Sequence, residues 1–283
     1  MKYVYFRIFL TEVDIPELLI KTGTLNERLP RNEFLTDVLN RRWEFVHSGK
    51  KMIYVPVTRH EEDNVDFSFG RVGKQVVTKE NTGPDNEFEA QDHFSWRAAN
   101  MLTNTASDKN GQKIAFEKKD ELGSPLAILS SLSHAINTFS IENDLGWHIE
   151  INPMTQSSSF WGVVERYKGQ ITRAEFSYVT PNVLGIRSTL NQRLKEYKEK
   201  ENAQGVRVIL TDPNGNLNLE TQEVRDAVDY TTEGGGSVRL KMGRETIFDS
   251  KHEDQIVSRD VDAETAVNLD TPETRQKLVS RFF

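Results

Sequence analysis

Asp108 and the run Glu117-Lys118-Lys119 carry the spacing D…E-x-K across an expected β-hairpin. Two carboxylates beside a lysine can hold Mg²⁺ and activate water against a phosphodiester, the chemistry of a metal-dependent nuclease or other phosphodiesterase. A simpler reading assigns Asp108 to the turn Asp108-Lys109-Asn110-Gly111, because a chain with 43 Asp plus Glu shows such spacings by chance. No two of the six histidines lie at metal-ligand spacing. His60-Glu61-Glu62-Asp63 and His252-Glu253-Asp254 mix imidazole with carboxylates, as cation sites do, but ordinary surfaces also carry such clusters. His134 falls near an apolar helical stripe and reads as a satisfied core histidine, whereas His148 alternates with Trp147 and Ile149 and reads as solvent-facing. Ser157-Ser158-Ser159 is not a nucleophile elbow and is expected to be a flexible loop. Gly234-Gly235-Gly236 follows a helix instead of opening one, so it reads as a helix stop with close backbone packing, not a phosphate cradle. No catalytic residue, metal site or cofactor is assigned. The weight falls on a non-enzymatic binding or regulatory protein, with the metal-dependent nuclease as the alternative.

Charge distribution points to what would be bound. Lys plus Arg total 36 against 43 acids, for a net charge of −7, which excludes an indiscriminate polyanion-coating protein. Residues 151–200 nevertheless hold 8 Lys plus Arg against 4 acids, a local +4 that leaves −11 for the remainder. The members are Arg166, Lys168 and Arg173 around one expected hairpin, then Arg187, Arg193, Lys195, Lys198 and Lys200 on or near one helix. On that helix 193 and 200 fall close together, as do 187, 191 and 195, opposite Leu190, Leu194 and Tyr197. A cluster of this kind suits phosphates, since each one neutralised releases counterions. The expected partner is nucleic acid on this basic face, or a protein encoded alongside. Interleaved Glu196 and Glu199 allow a plain solvated helix face instead.

The elements that must position these residues follow from periodicity and turn chemistry. Met1–Leu10 is aromatic and β-branched enough for a strand, and lacks the clean apolar core of a signal peptide. Asn32–Leu39 suits a short helix, as does the segment after Pro16. Trp43–Val46 and Met52–Val57 pair across Ser48-Gly49, with Phe67–Val72 as a third strand. Residues 77–92 read as an exposed loop. Ser124 and Pro125 open a helix whose apolar positions are Leu126, Leu129, Leu132, Ile136 and Phe139. Phe160–Val164 and Ile171–Val179 suggest a hairpin around Lys168-Gly169. Helices are expected over about 188–202 and 220–232, strands over 206–210, 237–242 and 246–248, and an extended or docking tail over 251–283. Strands arrive in hairpins and helices arrive singly, which gives α+β, mostly antiparallel sheets with single packed helices in two lobes, 1–115 and 116–250. With no cysteine and no apolar run near the roughly 20 residues a membrane span needs, the expected setting is cytoplasmic, without membrane insertion.

Several strings in this layout form a pattern. They are Ile151-Asn152-Pro153, Ile171-Thr172-Arg173, Thr180-Pro181-Asn182, Glu201-Asn202-Ala203 and Asp229-Tyr230-Thr231-Thr232-Glu233-Gly234-Gly235-Gly236, with Phe69-Gly70-Arg71-Val72 earlier in the chain. Over about residues 65–250 the chain resembles bacterial proteins found with mobile elements and phage-defence genes. It resembles more distantly the DNA-binding component of the lambdoid Rex phage-exclusion pair. The resemblance implies a homodimeric sensor or regulator in antiviral defence and brings no catalytic residue with it.

Overall fold

Strand β1 (Lys2–Glu12) organises the molecule, because its apolar residues occupy both parities of a period-two strand and so demand cover on both faces. The structure is a computed structural model that describes residues 1–13, 28–57, 64, 66–108, 111–180, 189–262 and 269–283. The expected helix after Pro16 lies largely outside the described residues. Val4, Phe6, Ile8 and Leu10 enter the main core, Tyr3 and Tyr5 a second cluster, and Phe9 a third. Around β1 an antiparallel sheet of eight strands forms from β2 (Trp43–His47), β3 (Lys50–Pro56), β4 (Phe67–Asn81), β5 (Ala90–Asn104), β6 (Lys113–Glu117), β7 (Trp147–Pro153) and β12 (Ser258–Asp260). The order is β12-β1-β6-β5-β4-β3-β2, with β7 paired to the other end of the β1 edge that holds β12.

Two helices, α1 (Arg31–Leu39) and α2 (Pro125–Glu142), cover one face of this sheet and bury Phe34, Val38, Leu129 and Ile136 against it. Pro125 stands at the first helical position as its fixed φ favours, but Ser124 offers no cap; its hydroxyl bonds Glu253 instead. The free edge of β7 is closed by side chains of α2. Asn137 accepts from the Ile149 N–H at 2.7 Å and donates to the Ile149 carbonyl at 2.8 Å, acting as a surrogate strand.

A second antiparallel sheet runs β11 (Glu245–Asp249), β10 (Gly236–Met242), β8 (Arg173–Val179), β9 (Gly205–Thr211). Helices α3 (Ser157–Arg166), α4 (Thr189–Glu201) and α5 (Gln222–Tyr230) supply Phe160, Leu194 and Val228 to the core on one of its faces. The α+β class with antiparallel sheets is therefore what the chain adopts. The expected hairpin at 160–164 is instead the helix α3, opened by Ser157-Ser158-Ser159. In a five-residue run the pair Phe160 and Val164 fits i, i+4 as well as alternation, and burial of both against the sheet decides for helix.

The two layers meet at Arg7. Its guanidinium is 5% exposed and donates to the Glu233 carboxylate at 3.2 Å and carbonyl at 3.1 Å, and to the Gly111 carbonyl at 3.2 Å. Gly234 has φ +87° with Arg7 packed where a Cβ would stand, and Gly236 has φ +154° against the Ser177 carbonyl, so the glycine run is a tight helix-to-strand passage. The expected seam at 115/116 falls inside β6, which is bonded to both β1 and β5; the first layer continues through β7, and the second begins at α3.

Residues 77–92 differ from the expected loop, and the described part of the 251–283 tail takes the docked one of its expected forms. Residues 77–92 continue β4 and β5 as a two-stranded ribbon, paired from Lys74–Arg97 out to Asn81–Ala90, with Gly83-Pro84 at the tip. The 251–283 segment is docked: β12 pairs β1, and helix α6 (Pro272–Phe282) seats Phe282 against the rings of Tyr3 and Tyr5, centroids 4.6 and 6.0 Å away.

Candidate nucleic-acid interface

The D…E-x-K spacing does not assemble. Asp108 closes its own turn by accepting from the Gly111 N–H at 2.7 Å, near Arg7 and Lys113 at the start of β6. Glu117 stands at the far end of that strand, four residues or roughly 13 Å beyond Lys113. There it is buried, accepts from the Asn100 backbone N–H at 2.9 Å and meets Lys119 Nζ at 3.3 Å. Two carboxylates so far apart cannot share one cation, and the Glu117–Lys119 pair works as an internal brace. His252 and Asp254 form an exposed pair at 3.4 Å, while His60-Glu61-Glu62-Asp63 lies outside the described residues. Among the described residues no three His, Asp or Glu come together as a metal site. His134 is exposed, not a core histidine, and His148 faces the Asn137 amide at 3.3 Å.

The basic residues of 151–200 divide among three places. Arg166 is exposed in the last turn of α3, and Lys168 just beyond pairs with Glu220 at 2.9 Å. On α4, Arg193 and Lys200 share one flank, roughly 20° apart about the axis, and Lys200 approaches Glu196 at 3.6 Å. Lys195 and Lys198 lie on the other flank of Leu194. Lys198 is half-buried beside Glu12, Arg28 and Arg31, and its pKa is held down by burial, with Glu12 opposing and the two arginines adding to the depression. Arg187 lies outside the described residues. Among the described residues of the group, only Arg173 reaches the face of the second sheet that no described helix covers.

That face is where cations gather. Arg173 and Glu175 on β8 share it with Arg207 and Ile209 on β9 and with Arg239 and Lys241 on β10, through the cross-strand pairs Arg239–Glu175–Ile209 and Lys241–Arg173. Arg207 donates to the Glu175 carboxylate at 2.6 Å, Lys241 Nζ lies 3.9 Å from it, and Arg173 Nε lies 2.5 Å away in ion contact without hydrogen-bond alignment. Three cations thus crowd one carboxylate that is only 6% exposed, while Arg173 and Arg207 remain 38% and 57% exposed. The Arg207 hydrogen bond, aided by the field of Arg173, Arg207 and Lys241 and opposed by burial, holds the Glu175 pKa below the usual carboxylate range. Arg239 pairs with Asp249 at 2.6 Å. Four cations against two carboxylates leave the patch at +2.

At one end of this face, where β8 and β9 approach β7, a cleft of about 300 Å³ opens between Arg207, Ser177, Ser237, Lys251, Glu150 and Asn152. Arg207, Arg239 and Lys241 lie outside residues 151–200, so the charge of a chain segment does not group them with Arg173. Their signal was period-two placement: Arg173/Glu175/Ser177, Arg207/Ile209/Thr211 and Ser237/Arg239/Lys241 each put a polar or charged residue on the outward parity of a strand, Ile209 excepted. Comparison of the chain with protein-family models, curated proteins and solved structures yields no match, so the candidate interface stands on its geometry.

Proposed function

We propose that this protein is a non-enzymatic binder that takes a nucleic-acid strand by its phosphates on the open face of the second sheet. The observation that carries the reading is the trio Arg173, Arg207 and Lys241 gathered on Glu175 on an uncovered sheet. Both guanidinium groups stay partly exposed beside the carboxylate, so their remaining N–H donors can reach phosphate oxygens. Ile209, 43% exposed among them, adds an apolar spot on which a base or sugar can rest. The resemblance of residues 65–250 supports placing this binding in antiviral defence, as a cytoplasmic homo-oligomeric sensor working with a protein encoded nearby.

The test is fluorescence anisotropy with labelled single- and double-stranded DNA and RNA across a salt series. Three or four phosphate contacts give a slope of log K against log salt of about −2 to −4. Arg173→Glu with Arg207→Glu should abolish the signal in a folded protein, and Arg193→Glu with Lys200→Glu should leave it. No salt-sensitive binding by the wild type, or equal loss in both double variants, refutes the assignment.

A further inference from the structure

The ribbon formed by the outer halves of β4 and β5 carries an apolar stripe that nothing described in the chain covers. Register places Trp96 opposite Gln75 and Phe94 opposite Val77, hence on one face of the ribbon, with Phe88 at its tip. Val77, Phe88, Phe94 and Trp96 are 51%, 60%, 61% and 48% exposed. A two-stranded ribbon standing alone is marginally stable in water, and side chains of this size on it are the mark of a contact surface. The surroundings of the stripe are acidic: residues 79–92 hold Glu80, Asp85, Glu87, Glu89 and Asp92 against Lys79, a local −4.

The open face of the second sheet is its counterpart in charge, polarity and length. It carries the +2 patch of Arg173, Arg207, Arg239 and Lys241, and exposes Ile209 within that patch. Strands β8, β9 and β10 are seven residues long, and the free ribbon also has seven residues per strand, 75–81 and 90–96, so each spans roughly 23 Å. The ribbon does not lie on this face within its own chain, since Val77, Phe88, Phe94 and Trp96 of its stripe stay exposed.

We propose that the ribbon of one copy seats on the basic sheet face of a second copy, with the stripe of Phe94 and Trp96 laid on that face and the ribbon's acidic residues against its cations. In a two-fold dimer the contact occurs twice, each copy giving a ribbon and receiving one, which doubles the buried area. The acceptor face is the one assigned to nucleic acid, so self-association and nucleic-acid binding compete.

Analytical ultracentrifugation of the full chain over a dilution series tests this, with thermal melts confirming that each variant is folded. The wild type should self-associate, and Phe94→Ser with Trp96→Ser should weaken association by about tenfold or more, as truncating interface aromatics does. That variant should keep or improve its nucleic-acid binding, which separates failure of this proposal from failure of the functional one. Arg173→Glu with Arg207→Glu should dissociate, as should Glu87→Lys with Glu89→Lys, and mixing these two charge-reversed proteins should restore a heterodimer. A wild type that stays monomeric at high concentration overturns the proposal. So does a stripe variant that still associates, or a charge-reversed mixture that stays apart, the latter pointing to ribbon-on-ribbon contact.

Discussion

Replacing Glu175 by Gln should move stability and binding in opposite directions. The carboxylate takes one hydrogen bond from Arg207 at 2.6 Å and ion contacts from Arg173 at 2.5 Å and Lys241 at 3.9 Å. Charge-assisted bonds are worth about 1.5–3 kcal/mol when dry, but the guanidinium partners are 38% and 57% exposed and water screens them. The expected loss is therefore about 1–2 kcal/mol, or roughly 2–6 °C in Tm for a chain of this size. Binding should strengthen, because the patch rises from +2 to +3. One added net charge at about 5 Å from a phosphate in a water-like dielectric contributes ~0.8 kcal/mol, near a fourfold gain in affinity. The pH dependence follows from the depressed pKa of Glu175. Its contribution to stability is present above the unfolded carboxylate pKa and is lost as pH falls through the folded value, so the variant and wild-type stabilities should converge in acid. Thermal melts from neutral pH downward, paired with anisotropy at fixed salt, measure both arms. A folded Glu175→Gln protein that binds nucleic acid more weakly than the wild type refutes the role assigned to the patch.

Three further outcomes are expected. Asn137→Leu strips the surrogate strand from the Ile149 N–H and carbonyl, leaving both unpaired in a buried position; urea denaturation should show a loss of about 2–4 kcal/mol. Glu117→Gln loosens the internal brace with Asn100 and Lys119 and should lower stability by about 1–2 kcal/mol equally with Mg²⁺ or with chelator; a Mg²⁺-dependent difference would revive a metal role for that carboxylate. Removing residues 272–283 uncovers Tyr3, Tyr5 and Phe69, so size-exclusion chromatography should show aggregation of the truncated chain where the full chain elutes as a discrete species.

What was legible in the sequence was what local chemistry enforces. The aromatic and β-branched run of β1, Pro125 at the head of α2 and the stop at Gly234-Gly235-Gly236 each have a short-range cause. Strand pairing across Ser48-Gly49 belongs with them: Ser48 and Gly49 both take positive φ, as the turn requires. Segments of five residues with both periods present, such as Phe160–Val164, are decided by what they pack on, and that lies elsewhere in the chain. The ribbon was hidden for a related reason. Its strands are polar and solvated on one side, so nothing but cross-strand hydrogen bonding holds Thr78–Asn81 to Ala90–His93. The interface was hidden most deeply. Counting charge along the chain groups neighbours in sequence, and so it collected Arg193, Lys195, Lys198 and Lys200 on two flanks of one helix. A sheet groups by pairing, and it brought Arg173, Arg207 and Lys241 together across 68 residues of chain.

Charge placement then reconciles an acidic chain with the anion-binding role proposed for this face. At physiological salt the Debye length is about 8 Å, shorter than the roughly 23 Å length of the second sheet. A phosphate on Arg207 therefore feels the local +2 and little of the −9 carried by the rest of the chain. Farther out, screening leaves the net −7 of the whole chain only a weak repulsion of polyanions and of other copies of itself. Such a molecule gains nothing from long-range steering and binds through contact geometry alone, which favours a shaped partner over bulk nucleic acid. The acidic ribbon has the opposite arrangement, with charge concentrated at its tip and apolar surface behind it. Ribbon and sheet face would thus attract only when close and in register, and the proposed self-association and nucleic-acid capture, following the same short-range rule, would exclude each other.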